Sequence, residues 1–167
     1  MKKTLAIVIL TWNDHKNTIK CLKSIINQLK KDKKIILVDN NSSEKFFNKT
    51  INWLNKNYKK KVHRKIFKKI EKIPEFILSS KSVFIIKNKN NLGCGYGHNT
   101  GYKFALKNKF KFIARIDNDM IVPRKFFESI LENFSDKKIQ AVSPKILYSK
   151  FPKMIWWMGT TINHNLK

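Results

Sequence analysis

Four short, mainly apolar runs, at residues 5–10, 35–38, 83–86 and 112–116, each stop at a polar or charged residue, and this repeated pattern leaves few folds open to the chain. Runs of this length without strict alternation suit parallel strands covered on both faces. Between them the period changes. Leu22, Ile25, Ile26 and Leu29 recur at helical spacing and predict a helix over 17–29, with Cys21 on its buried face. The Gly- and Asn-rich stretch 88–101 reads as a long turn, after which Tyr102, Ala105 and Leu106 mark a second helix. Phe126, Phe127, Ile130 and Leu131 mark a third, with Pro123 suited to its first turn, where a missing N–H costs nothing. Residues 139–142 are expected to close the pattern as a strand, and 154–158 to add another. Residues 44–82 form a basic insertion in which Trp53, Leu54, Ile66 and Ile70 suggest one or two amphipathic helices. The expected fold is α/β, a mostly parallel sheet with right-handed crossovers, in a single domain over 1–167.

Composition removes several classes. A chain of 167 residues has room for one well-buried core. Its first apolar run is too short to span a bilayer. Two distant cysteines, Cys21 and Cys94, make neither a disulfide framework nor a zinc knuckle, so a reducing, cytoplasmic compartment is expected. The net charge of +25 comes from 33 Lys and only 3 Arg against 11 acids. Lysine without arginine points to a solvated surface rather than a nucleic-acid reader, because arginine is the bidentate partner of phosphates and bases. Such a surface is also attracted to anionic membrane, and peripheral contact at the inner face through residues 44–72 is a further expectation.

Against this basic background stand Asp117 and Asp119, two residues apart at the end of the fourth run. If extension persists, their carboxylates leave the same face and can hold a hard cation, Mg²⁺ or Mn²⁺, beside a diphosphate. The competing reading is a solvated turn whose Asp and Asn residues cap the next helix. Gly93, Gly95, Gly97 and Gly101 would let the backbone approach a ligand. They match neither a phosphate-binding P-loop nor a dinucleotide fingerprint, which would need Gly-Lys-Ser/Thr or a glycine triad directly after the first strand. His15 and His98 follow strand ends and could reach phosphate, whereas His63 and His164 read as surface residues. Trp156 and Trp157 offer an aromatic surface, although one of two adjacent strand side chains should face the core.

The segment AIVILTWNDHKNTIKCLKSI, the strand end VDNNSS, the loop NNLGCGYGHNTG and the turn IDNDM together resemble the N-terminal part of inverting family 2 glycosyltransferases with the GT-A fold, nearest to rhamnosyltransferase-like members. The resemblance implies a Rossmann-type, nucleotide-sugar-binding domain. It places Thr11, Asn13 and Asp14 in the nucleotide pocket, with Asp39 at the base or ribose. Asn91, Gly93, Asn99 and Gly101 would shape the donor pocket, Asp117 would lie by the ribose and metal, and Asp119 would be the principal metal ligand. It also implies a nucleoside diphosphate sugar as donor, a glycan, lipid-linked or protein acceptor, and Mn²⁺ or Mg²⁺. Tyr96 and His98 depart from the glycine and asparagine frequent in the family. Inverting members use a carboxylate beyond the metal motif as general base, yet no Asp or Glu follows Asp136. The catalytic base is therefore unassigned, part of the acceptor side is expected to be missing, and a non-catalytic binding module or truncated fragment is the alternative.

Overall fold

The computed structural model describes residues 5–58, the backbone of 63–67, residue 72 and residues 82–160. Two compact units divide it, one ending at Arg124 and the other beginning at Lys125. The first holds five parallel strands, β1 Leu5–Thr11, β2 Lys33–Asp39, β3 His63–Phe67, β4 Ser82–Lys87 and β5 Phe112–Asp117, in the order β3-β4-β2-β1-β5. Three helices connect them: α1 His15–Ile26, α2 Glu44–Tyr58 and α3 Gly93–Lys107. The expected Rossmann-type α/β architecture, a parallel sheet flanked by helices, is what the chain adopts.

Burial explains the unbroken apolar runs. Residues 5–9 of β1 and 35–38 of β2 are buried throughout, so both faces of these strands are covered. Ala6, Val8, Ile36, Val38, Phe84 and Ile86 alternate along three strands and pack with Phe104 and Ala105 of α3. The chain moves from β1 to β2 in one direction across the sheet and from β4 to β5 in the other. Right-handed crossovers therefore set α1 and α3 on opposite faces. The α1 face is filled by Cys21, Leu22, Ile25 and Ile26, as the helical spacing predicts. Even the basic residues obey this frame: Lys34 is buried at the start of β2, its ammonium donates to the Lys31 carbonyl at 2.8 Å, and burial pulls its pKa down to about 8.

Several expectations are corrected. The stretch 88–101 is not a long turn, because α3 begins at Gly93 and contains every later glycine of the motif. Of the four glycines of this motif, Gly93, with φ +71°, is the one that needs glycine for its dihedral angle. A Cβ on Gly97 would lie 2.7 Å from Leu10 Cδ1, and one on Gly101 would lie 2.4 Å from Val8 Cγ1. These two glycines let the helix lie close against β1. Among the described residues the basic insertion supplies helix α2, as expected, and an edge strand, β3, so Ile66 lies on a strand rather than a helix; the rest of it, including Ile70, and His164 are outside the described residues. Pro123 precedes the next helix instead of starting it, because Lys125 takes a left-handed φ of +62° and helix α4 begins at Phe126.

The second unit contains α4 Phe126–Glu132, a 3₁₀ turn Asn133–Ser135 and a short antiparallel hairpin, β6 Ile146–Leu147 and β7 Ile155–Trp157. Residues 139–142 are not a strand. Asp136 bends the chain there, its side chain accepting from Lys138 N at 2.9 Å and its carbonyl from Ile139 N at 3.1 Å. Strand pairing starts only at Ile146, while 154–158 contains β7 as expected.

The glycine contacts give substitutions of opposite sign. Gly101→Ala gains helix propensity but forces a methyl into a buried β-branched side chain of the central sheet, for a net loss of roughly 1–2 kcal/mol. Gly95→Ala meets nothing within 4 Å and is expected to add up to about 1 kcal/mol. Urea unfolding of the two variants checks the pair.

Candidate functional site

Every strand of the first unit that ends in a chemically useful residue delivers it to the same edge. The register pairs Thr11 with Asp39 on one side of β1 and Leu10 with Asp117 on the other, so β1 carries its polar end between two acids. The strand order reverses direction at β1 and β5, and open α/β sheets bind ligands in the crevice outside such a switch point.

The β1–α1 and β2–α2 loops are fastened to each other. Asn13 and Asn41 adopt left-handed φ values of +51° and +67°, a conformation asparagine tolerates better than most residues. Asn13 N–H donates to Ser42 Oγ at 2.9 Å, and Asn13 Oδ1 accepts from Ser43 N at 2.8 Å. Asp14 is the N-cap of α1, accepting from Asn17 N at 3.1 Å and from Asn17 Nδ2 at 2.9 Å. Thr11 is buried, and its hydroxyl lies 2.7 Å from that of Thr18. Asp39 is 1 % exposed and accepts from Ser42 N at 3.2 Å. Burial pushes its pKa up, against the opposing hydrogen bonds from Ser42. A small crevice beside it is lined by Thr11, His15, Asp39, Ser42 and Phe46. His15 lies 5.4 Å from the Phe46 ring, and desolvation followed by nearby Lys49 lowers its pKa.

Asn40, one of the polar cluster that follows β2, connects this loop to α3. Its buried amide donates to Asn91 Oδ1 at 2.7 Å and to the Gly93 carbonyl at 3.1 Å, while its oxygen accepts from Asn88 Nδ2 at 3.0 Å and Leu92 N at 3.1 Å. Asn91 in turn accepts from Gly93 N at 2.9 Å. Asn91 and Gly93 thus define the entry to α3. Asn99 lies on the exposed side of the helix, off the buried stripe of Gly97, His98, Gly101, Phe104 and Ala105. Gly101 is held against Val8 and Val38, well inside the helix. The run of asparagines after Asp39 was the only sequence signal for Asn40, and nothing in it singled out one amide.

The acidic motif divides into two environments. Strand β5 ends at Asp117, and Met120 N returns to its carbonyl at 3.1 Å, so Asp119 lies in a turn and the same-face geometry expected from an extended strand does not apply. The Asp117 carboxylate accepts from Arg115 Nε at 3.1 Å and lies 3.4 Å from His98 Nε2. The His98 contact, with Arg115 beside it, holds the Asp117 carboxyl below its ordinary pKa despite partial burial. His98 itself is 2 % exposed, and its ring stacks on Tyr102 with centroids 6.0 Å apart. Asn118 ties the turn to α1, donating to Thr18 Oγ1 at 3.1 Å and Asp14 Oδ2 at 3.4 Å. Asp119 is exposed. Among the described residues no three His, Cys, Asp or Glu side chains gather into a metal cage. An exposed carboxylate beside a second one nevertheless suits Mg²⁺ or Mn²⁺, which commonly take one or two protein carboxylates and complete their shell with phosphate oxygens and water. Cys21, below this turn, is no nucleophile: burial, then Asp119 and Asp117, push its thiol up to about 12.

Removing the Asn40 amide in Asn40→Ala strips partners from two loops and is expected to cost roughly 1–3 kcal/mol. Hydrogen exchange should show early loss of protection at the Leu92 amide. Asp39 gives a pH test. Its folded pKa is raised, so its contribution to stability is present below the unfolded carboxylate pKa and is lost as pH rises through the folded value. Carboxyl-carbon titration should place Asp39 above an ordinary aspartate, and Asp39→Asn should remove that part of the acidic pH dependence of unfolding.

Solved structures of similar fold include the mannosyltransferase PcManGT from Pyrobaculum calidifontis in complex with GDP-Man and Mn²⁺, with TM-score 0.65 and 14% identity over 90% of this chain and 37% of that one. The TarS 1–349 structure from S. aureus gives TM-score 0.56 and 15% identity over 80% and 32%, and its complex with UDP gives 0.55 and 16% over the same shares. The chain therefore spans about a third of the length of these proteins. Among curated proteins none matches significantly. The model of the family described as glycosyl transferase family 2 matches residues 6–166, nearly the entire sequence, and the chain belongs to that family.

Proposed function

We propose that this chain carries the donor-binding part of a hexosyltransferase that moves a sugar from a nucleoside diphosphate to a glycan, lipid-linked or protein acceptor with inversion at the anomeric carbon. The observation that carries the reading is the placement of Asp39 and the Asp117–Asp119 turn on either side of Thr11, at the carboxyl edge where the strand order reverses. In this reading Asp39, Thr11 and the Asn13–Ser42 connection shape the nucleotide end of the cleft. Asn91 and Gly93 set the start of α3 beside it, and Asn99 and Gly101 belong to the same helix. Asp14 acts by capping α1 and holding Asn118. Asp119, with Asp117 next to it, would hold Mn²⁺ or Mg²⁺, and the chemistry such an ion supplies is neutralisation of charge on the departing diphosphate. His98 and Arg115 keep Asp117 ionised and oriented. Support for this assignment comes from the family membership and from the mannosyltransferase of like fold, which was captured with GDP-Man and Mn²⁺.

A positioned base for the acceptor hydroxyl is typically worth about 10²- to 10⁴-fold in rate. Residues 137–167 contain no Asp or Glu to provide one. The second reading is a nucleotide-sugar-binding module without transfer activity. No helix among the described residues is long and apolar enough to cross a membrane, and a cytoplasmic enzyme working at the inner membrane face fits the proposal.

Calorimetry with a panel of nucleoside diphosphate sugars, with and without Mn²⁺, tests donor binding. Asp119→Asn is expected to abolish most of the Mn²⁺-dependent gain, roughly tenfold or more in affinity, by removing an anionic ligand. Unchanged Mn²⁺ dependence in that variant rejects the metal assignment. Product assays with acceptor panels then separate the two readings: measurable glycosylated product supports the transferase, and tight donor binding with none supports the module.

A further inference from the structure

The hairpin of the second unit has apolar side chains that nothing among the described residues covers. Ile155 and Trp156 are adjacent in β7 and so point to opposite faces, yet both are exposed. The connection from β6 is a compact loop: Tyr148 N donates to the Met154 carbonyl at 3.0 Å, Phe151 N to the Tyr148 carbonyl at 3.1 Å and Met154 N to the Phe151 carbonyl at 2.8 Å. This hydrogen-bonded loop displays Tyr148, Phe151 and Met154, with Phe151 60% exposed, and Met158 just beyond β7 is 70% exposed. Large apolar side chains clustered in this way mark a surface with a partner.

Charge identifies the partner. Residues 137–160 contain five lysines and no Asp or Glu, and Lys145, Lys150 and Lys153, all exposed, interleave with the apolar positions. A symmetric interface with a second copy would bring Lys150 and Lys153 against the same lysines with no carboxylate in the segment to offset them. An anionic bilayer satisfies both components: aromatic and thioether side chains enter the headgroup and acyl boundary while lysine ammonium groups stay at the phosphates. We propose that the β6–β7 hairpin and its loop dock this protein on an anionic lipid surface. This moves the membrane contact away from residues 44–72. Helix α2 in that segment buries Thr50 and Leu54, and its Phe47 ring is covered by Lys87, 4.5 Å from the centroid.

The test is co-sedimentation of the full chain with phosphatidylcholine vesicles, with and without phosphatidylglycerol, combined with tryptophan emission. Binding is expected only to the anionic vesicles, with a blue-shifted emission and release as salt rises. Phe151→Ser with Trp156→Ser should weaken binding about tenfold or more, as should Lys150→Gln with Lys153→Gln. Lys45→Gln with Lys49→Gln on α2 should change it less than about threefold. Circular dichroism checks that each variant is folded, and all four hairpin positions are exposed. Equal binding to neutral and anionic vesicles would overturn the proposal, as would a larger loss from the α2 pair than from the hairpin pairs. So would a salt-insensitive dimer in sedimentation velocity that the Phe151→Ser, Trp156→Ser variant abolishes.

Discussion

One buried amide holds the candidate site together. Asn40 uses its donor and acceptor atoms on four different groups from residues 88–93. The interaction joins the end of β2 to the beginning of α3 across a gap of about fifty residues in sequence. It fixes where α3 starts, and hence where His98 meets Asp117. A network of this kind has a single satisfied arrangement, which is why it can specify geometry as well as contribute stability.

The charge distribution gives that geometry an electrostatic setting. Asp14, Asp39, Asp117 and Asp119, four of only eleven acidic residues, lie at or just beyond the carboxyl ends of three adjacent strands. Their environments then diverge. Asp39 is buried, which raises its pKa, Asp14 is consumed by capping, His98 and Arg115 hold the pKa of Asp117 down, and Asp119 is exposed. Asp119 is the one exposed carboxylate of the set and remains able to attract a cation. The proposed donor, a nucleoside diphosphate with a divalent ion, would bring a cation to that carboxylate.

Much of this was legible in the sequence because burial on both faces of a parallel strand leaves a direct mark, an apolar run ending where the strand ends. Residues 5–10, 35–38, 83–86 and 112–116 read correctly for that reason. The glycine stretch misled because glycine signals both turn and close packing. Gly93 is the former, and Gly97 and Gly101 are the latter, a difference that depends on Leu10 and Val8 in a strand far away in sequence. The edge strand β3 was missed because its pairing with β4, rather than its own alternation, defines it. Residues 139–142 have strand-like composition but no strand beside them. The role of Asn40 was invisible since hydrogen-bond satisfaction is a property of the folded surroundings and not of the residue.

The pair of glycines inside α3 has a mechanical consequence. They touch β1 near the middle of a fifteen-residue helix, so the helix rests on the sheet at a fulcrum with an arm extending to each side. The amino-terminal arm carries Gly93 and Cys94 toward the Asn40 amide and the acidic turn, and the other carries Phe104 and Ala105 into the core. Any added thickness at the fulcrum would tip both arms at once, moving the mouth of the cleft and loosening the hydrophobic interior together. In this molecule the position of the cleft and the density of the core are therefore one mechanical variable.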